Sequence, residues 1–222
     1  MRNHYLLAVV LLGALPAVAQ TQSDSLAGRL SLKLAPLALL DPNYSTLQVG
    51  VDYRLDPRYS VWLSYGLQSS VVKLFQWHND RPDLRYHKLR TGVRRYFRVA
   101  RQLESYVEAE AFFIPVRYTI SSYRTANGVH TFDATRARRD IWGGALNGGL
   151  LWHLGPRWQF DAAAGLGARH VETNYAVRNE QIVARGGFYE HFFEQSNAPG
   201  RSDWRPHLTF RLGIGYQLTG IR

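Results

Sequence analysis

Apolar and polar residues alternate with period two along most of this chain. That pattern belongs to a strand with one greasy face and one wet face, and no helix could sort the residues that way. From Leu47 to Leu55 the odd positions read Leu47, Val49, Val51, Tyr53 and Leu55, against Gln48, Gly50, Asp52 and Arg54. After the turn Asp56-Pro57-Arg58, the positions Tyr59, Val61, Leu63, Tyr65 and Leu67 repeat the pattern, so the two stretches predict a β-hairpin. Six further segments behave alike. They run through Leu30–Leu34, Lys88–Phe97, Glu104–Phe113, Trp142–Leu154, Trp158–Arg169 and Leu208–Leu218. The faces opposite the apolar ones are strongly charged in the middle of the chain. Lys88, Arg90 and Arg94 lie on one segment and Glu104, Glu108 and Glu110 on the next.

The connections add a second regularity. Short turns at Asp56-Pro57-Arg58, Val99-Ala100-Arg101-Gln102 and Gly155-Pro156-Arg157 alternate with mostly longer stretches, 41–44, 69–85, 115–139 and 170–205. Even strand number, tight turns on one side and long loops on the other are the layout of an outer-membrane barrel. A soluble barrel would also alternate, but with its apolar residues inward. Three features favour the inverted arrangement. Each apolar face covers about 9 to 11 positions, enough to cross hydrocarbon at a tilt. Tyr53, Tyr59, Trp152, Trp158 and Tyr216 gather near the short turns, as an interfacial belt requires. The opposite faces mix Gly and Ala with long ionic side chains, which suits a narrow filled lumen. The expected fold is therefore all-β, an eight-stranded antiparallel up-and-down transmembrane β-barrel over residues 29–222.

Composition narrows the function classes. The 222 residues include no Cys, which removes disulfide scaffolds, thiolate metal sites and cysteine nucleophiles. Arg2, the apolar run Tyr5 to Leu15 and Ala17-Val18-Ala19 read as a cleaved secretory signal over 1–19, with 20–28 as a short periplasmic tail. Export makes a nucleic-acid partner unexpected despite the net charge of +10. Beyond the signal no apolar run is long enough for a transmembrane helix.

Several stretches resemble the small eight-stranded outer-membrane barrels of the OmpA transmembrane domain, OmpX and OmpW type. They are Leu32-Lys33-Leu34-Ala35-Pro36-Leu37, Leu47-Gln48-Val49-Gly50-Val51-Asp52-Tyr53, Gly92-Val93-Arg94-Arg95-Tyr96-Phe97 and Gly213-Ile214-Gly215-Tyr216-Gln217-Leu218. The chain looks most like small barrel proteins of uncharacterised function found in Bacteroidota. The resemblance implies an outer-membrane location, outer-membrane lipid and lipopolysaccharide as surroundings, and the barrel-assembly machinery as a partner during biogenesis of a monomer.

An eight-stranded interior has room only for side chains, so charges placed there must pair. Asp52, Arg54, Lys88, Arg90, Arg94, Glu104, Glu108, Glu110, Asp161, Arg169 and Arg211 are expected to form an ionic network that plugs the lumen. Lys73, Arg81, Arg85, Arg117, Arg124, Arg136, Arg138 and Arg139 lie in or beside the long loops and are candidates for lipopolysaccharide contact, since Arg binds phosphate through paired donors. The histidines are too scattered for a metal site, and no cofactor motif is present. The expected role is structural or surface-interacting, without catalysis. Two alternatives stay open. One is a narrow channel for small solutes. The other is a lipid A-modifying hydrolase built around Ser196 and Asn197, in which His191 stands at an odd offset from Ser196 and so on the other face of a strand.

Overall fold

The computed structural model describes residues 28–36, 38, 44–68, 83–100, 102–125, 128–184 and 198–218. The proposed signal and most of the tail fall outside these residues. The described chain is all-β. Its strands are β1 (Leu30–Ala35), β2 (Thr46–Arg54), β3 (Tyr59–Gln68), β4 (Arg85–Ala100), β5 (Leu103–Thr125), β6 (Gly128–His153), β7 (Trp158–Asn174), β8 (Gln181–Ala184) and β9 (Arg201–Gln217). All pairings are antiparallel. The order is β5-β4-β3-β2-β1-β9-β7-β6-β8, and β5 also pairs with β6, so every strand but β8 is hydrogen-bonded on both edges.

Turn chemistry fixes the short connections. Between β2 and β3 the Asp56 carboxylate accepts the backbone N–H groups of Arg58 at 2.6 Å and Tyr59 at 2.8 Å, which folds the chain back on itself. Between β6 and β7, Gly155 sits at φ 100°, a conformation open to glycine at little cost.

The sheet curves around its charged face. Arg94, Glu108 and Asp161 are 1%, 2% and 1% exposed, whereas Leu146, Leu166 and Leu208 are 73%, 68% and 78% exposed. Those three leucines stand abreast on β6, β7 and β9. Further along β5 the polarity reverses. Phe112, Ile114, Val116, Tyr118 and Ile120 are buried with Tyr86, Phe132, Ile141 and Val171 in an enclosed apolar cluster, while Arg117 and Thr119 face out. The molecule thus has an ionic interior at one end and an apolar interior at the other.

Several expectations are corrected here. The eight-stranded up-and-down transmembrane barrel gives way to a nine-stranded antiparallel fold. Between β7 and β9 the chain leaves to form β8, which pairs with the far part of β6 through Val129, His130 and Thr131. The expected barrel requires strands of about 9 to 11 positions and a long third loop over 115–139, and the structure departs from both. β1 has 6 residues, whereas β5 has 23 and β6 has 26. The stretch expected as the third long loop is paired strand, with Pro115↔Asp140 and Thr125↔Gly128 in register. The outer-membrane location, the kinship with OmpA, OmpX and OmpW, and the lipid and assembly-machinery partners that depend on these premises are withdrawn. No described helix is long and apolar enough to cross a membrane, which says nothing about strands.

Candidate functional site

The charged interior is built from facing strands. Because β4 and β5 place Arg94 directly opposite Glu108, the two side chains meet on the enclosed face. Arg94 Nε donates to Glu108 Oε2 at 2.5 Å, and its Nη1 reaches Asp52 and Asp161, each at 2.9 Å. Lys33 Nζ lies 2.8 Å from each of the same two aspartates, so both cations share both carboxylates. Arg211 Nη2 donates to Glu108 Oε2 at 2.7 Å, and the Tyr106 hydroxyl donates to Asp161. Strands β1, β2, β4, β5, β7 and β9 are thereby tied at one level.

Two neighbouring layers complete it. Arg90 grips Glu110 through two donors at 2.6 and 2.7 Å, the paired geometry a guanidinium favours. The amide of Asn147 joins this layer to the first by donating to Glu108 at 2.8 Å and Glu110 at 3.0 Å, and it accepts from Thr209. Near the short turns, Arg54 donates to Glu104 at 2.9 and 3.1 Å, lies over the Tyr96 ring at 3.6 Å, and bonds the Pro57 carbonyl. Two small cavities of about 20 and 30 Å³ adjoin the network, room for single water molecules rather than a substrate.

Burial alone would push the Glu108 carboxyl up, but Arg94 and Arg211 outweigh it and hold it at about 2. Burial opposes ionisation of Asp161 as well, and Arg94, Lys33 and Arg211 overcome it to keep this carboxyl far below the usual range. Neither acid retains a proton near neutrality, so neither can serve there as a general acid. At the boundary of the ionic and apolar zones, His207 stacks on Phe112 with ring centroids 4.6 Å apart. Burial, with Arg169 and Lys88 adding to it, pushes its pKa down to about 4.

Of the residues named from sequence, Asp52, Arg54, Arg90, Arg94, Glu104, Glu108, Glu110, Asp161 and Arg211 come together as ion pairs. Lys88 is buried and Arg169 half-buried, and both lie at the edge of the group, close enough to act on His207. Sequence reasoning missed Lys33, Tyr106, Asn147 and Thr209. Each occupies an inward position of its strand, so the signal was the phase of the alternation rather than any motif.

The loop candidates fare differently. Lys73 and Arg81 lie outside the described residues, and so do His191, Ser196 and Asn197. Arg124 sits near the tip of β5. Arg85, Arg117, Arg136 and Arg138 are exposed on strands rather than on loops. Arg139 points the other way, donating to Thr173 at 3.1 Å and lying over the Tyr118 ring at 5.5 Å. Lipopolysaccharide contact through an arginine-bearing third loop is thereby overturned, since no such loop exists. The narrow channel goes too, because side chains fill the interior. The lipid A hydrolase has no described residue to stand on.

Fold and site together define an all-β protein with an enclosed salt-bridge network and an apolar exterior around it. Residues 11–195 match the family described as Protein of unknown function (DUF3575), and the chain belongs to that family. No curated protein matches the chain.

Proposed function

We propose that this protein is a non-catalytic structural scaffold, rigid through its interior ion pairs, whose apolar belt works under an apolar cover. The observation that carries the reading is the inverted polarity of its ionic half. A protein that met only water there would bury Leu146, Leu166 and Leu208 and expose Arg94 and Glu108, and here the reverse holds. Monomers in water rarely expose contiguous apolar patches larger than a few hundred Å². The non-catalytic reading is supported by the commitment of Asp161, Glu104, Glu108 and Glu110 to cations of the network.

The test is the solution behaviour of the purified full chain. Light scattering coupled to size exclusion is expected to find aggregates in plain buffer and a single species carrying bound amphiphile when a mild detergent is added. Changing Leu146, Leu166 and Leu208 together to Ser is expected to reduce the mass of bound detergent. A monodisperse, detergent-free chain in plain buffer would sink the reading.

A further inference from the structure

The larger of the two interior cavities, about 30 Å³, has walls that include Lys33, Trp62, Ser64, Arg94, Asp161 and Arg211. Trp62 and Arg211 are only 6% and 9% exposed, and Arg211 lies over the Trp62 ring at 4.8 Å. Among the described residues, Trp62 Nε1, Ser64 Oγ and both Nε and Nη1 of Arg211 are buried without a hydrogen-bond partner. Glu110 Oε2 stands 3.8 Å from Arg211 Nη1, beyond hydrogen-bond reach. The acceptors of the same wall are already taken. Asp161 accepts from Tyr106, Lys33 and Arg94, and Gln48 Oε1 accepts from Arg90.

This combination selects an occupant by hydrogen bonding, charge and size. An indole N–H and a guanidinium can donate but not accept, and leaving such groups buried and unpaired forfeits the water they lost on folding. A water molecule would answer them only in part, because its own two hydrogens then need acceptors that this wall has committed elsewhere. A monatomic anion accepts from every side. The enclosed charges point the same way. Five interior carboxylates, Asp52, Glu104, Glu108, Glu110 and Asp161, face five buried cations, Arg54, Lys88, Arg90, Arg94 and Arg211, and the Lys33 ammonium within the network makes a sixth. An uncompensated charge in an enclosed site is costly, and one negative charge removes the excess. The volume admits a single water-sized species, which excludes phosphate and carboxylate ions.

We infer that the cavity beside Trp62 and Arg211 is a binding site for a single chloride ion, held by the indole, the guanidinium and the Ser64 hydroxyl.

The test follows the melting temperature of the full chain in mild detergent while chloride replaces gluconate at constant ionic strength, since a ligand held only by the folded state raises it. The melting temperature is expected to rise with chloride, and bromide is expected to act alike. Trp62→Phe keeps an aromatic ring and removes the donor, and it is expected to weaken the apparent chloride affinity at least tenfold. Ser64→Ala, which removes a hydroxyl from the same wall, is expected to weaken it at least threefold and decides alone if Trp62→Phe does not fold. Trp152→Phe, on the exposed outer face, is expected to change it less than twofold. A melting temperature indifferent to chloride would show that water fills the cavity and would overturn the site. An unchanged affinity in Ser64→Ala, or an equal loss in Trp152→Phe, would overturn it as well.

Discussion

Arg94 is the residue on which the enclosed charge balance turns. It touches Asp52, Glu108 and Asp161 and lies against the rings of Tyr106 and Trp62 at 4.7 and 5.5 Å, so its loss leaves three carboxylates facing one another across Lys33 and Arg211. Removing one partner of a buried pair costs about 3 to 5 kcal/mol, because the remaining charge cannot recover its water. Arg94→Ala is expected to destabilise the fold by that amount in denaturant titrations. Arg138→Ala is the contrast. Its pair with Asp140 is exposed to solvent, and exposed pairs contribute about 0 to 1 kcal/mol. If the two substitutions cost the same, the interior is wetter than the geometry implies.

Strands carry the lesson about what could be read from the sequence. Alternation located β1 to β7 and β9 and separated the charged face of each from the apolar face. The neighbouring charges even set the row Lys88, Arg90 and Arg94 beside the row Glu104, Glu108 and Glu110, and the register then pairs Arg94 with Glu108. What failed was the assumption that one polarity holds along a whole strand. In β5 the inward set is Glu104, Tyr106, Glu108 and Glu110 and then Phe112, Ile114, Val116, Tyr118 and Ile120, so period two continues while the inside changes from ionic to apolar. Read with a fixed phase, the second half looks like a loop with scattered arginines. β8 was illegible for another reason: four residues offer too little pattern, and its pairing with β6 is set by tertiary contact. Lys33 was missed because a single cation between two leucines carries no sign of the aspartates it will meet. At this scale, adjacent glycines of β6 offer a test of inside and outside. A Cβ on Gly149 would strike the ring of Tyr106, which bonds to Asp161 and Arg211 hold in place, while Gly148 has nothing within 4 Å. Gly149→Ala is expected to cost about 1 to 3 kcal/mol and Gly148→Ala to stay within about 0.5 kcal/mol of the parent. The reverse order in thermal or chemical unfolding would mean the faces are assigned backwards.

For the molecule as a whole, the interior charges make stability depend on pH in two stages. His207 is held at about 4 in the fold against 6.5 ordinarily, so as pH falls through that interval the unfolded chain takes up a proton that the folded chain refuses. Its contribution is complete above 6.5 and lost as pH falls toward 4. Glu108 follows the same sign lower down. Its folded value of about 2 lies below the ordinary 4.5, so its contribution is present above 4.5 and disappears as the pH approaches 2, with Asp161 acting in the same direction. Unfolding midpoints measured from pH 8 downward are expected to fall in both intervals, and His207→Gln is expected to flatten the first while leaving the second. A midpoint that rises on acidification would contradict the network.

The pairing of β1 with β9 covers only Ser31 to Leu34 against Ile214 to Gln217, and Lys33 within it reaches across to Asp161 of β7. A ribosome releases β1 before every other described strand and β9 after all of them, so this seam cannot be sewn until β2 to β8 have been made. Until then Lys33 has Asp52 of the neighbouring β2 but not Asp161, and Asp161 lacks one of its two cations. The join between the first and last described strands therefore serves as a completeness check: a polypeptide stopped before β9 lacks Arg211 and the seam that brings Lys33 to Asp161.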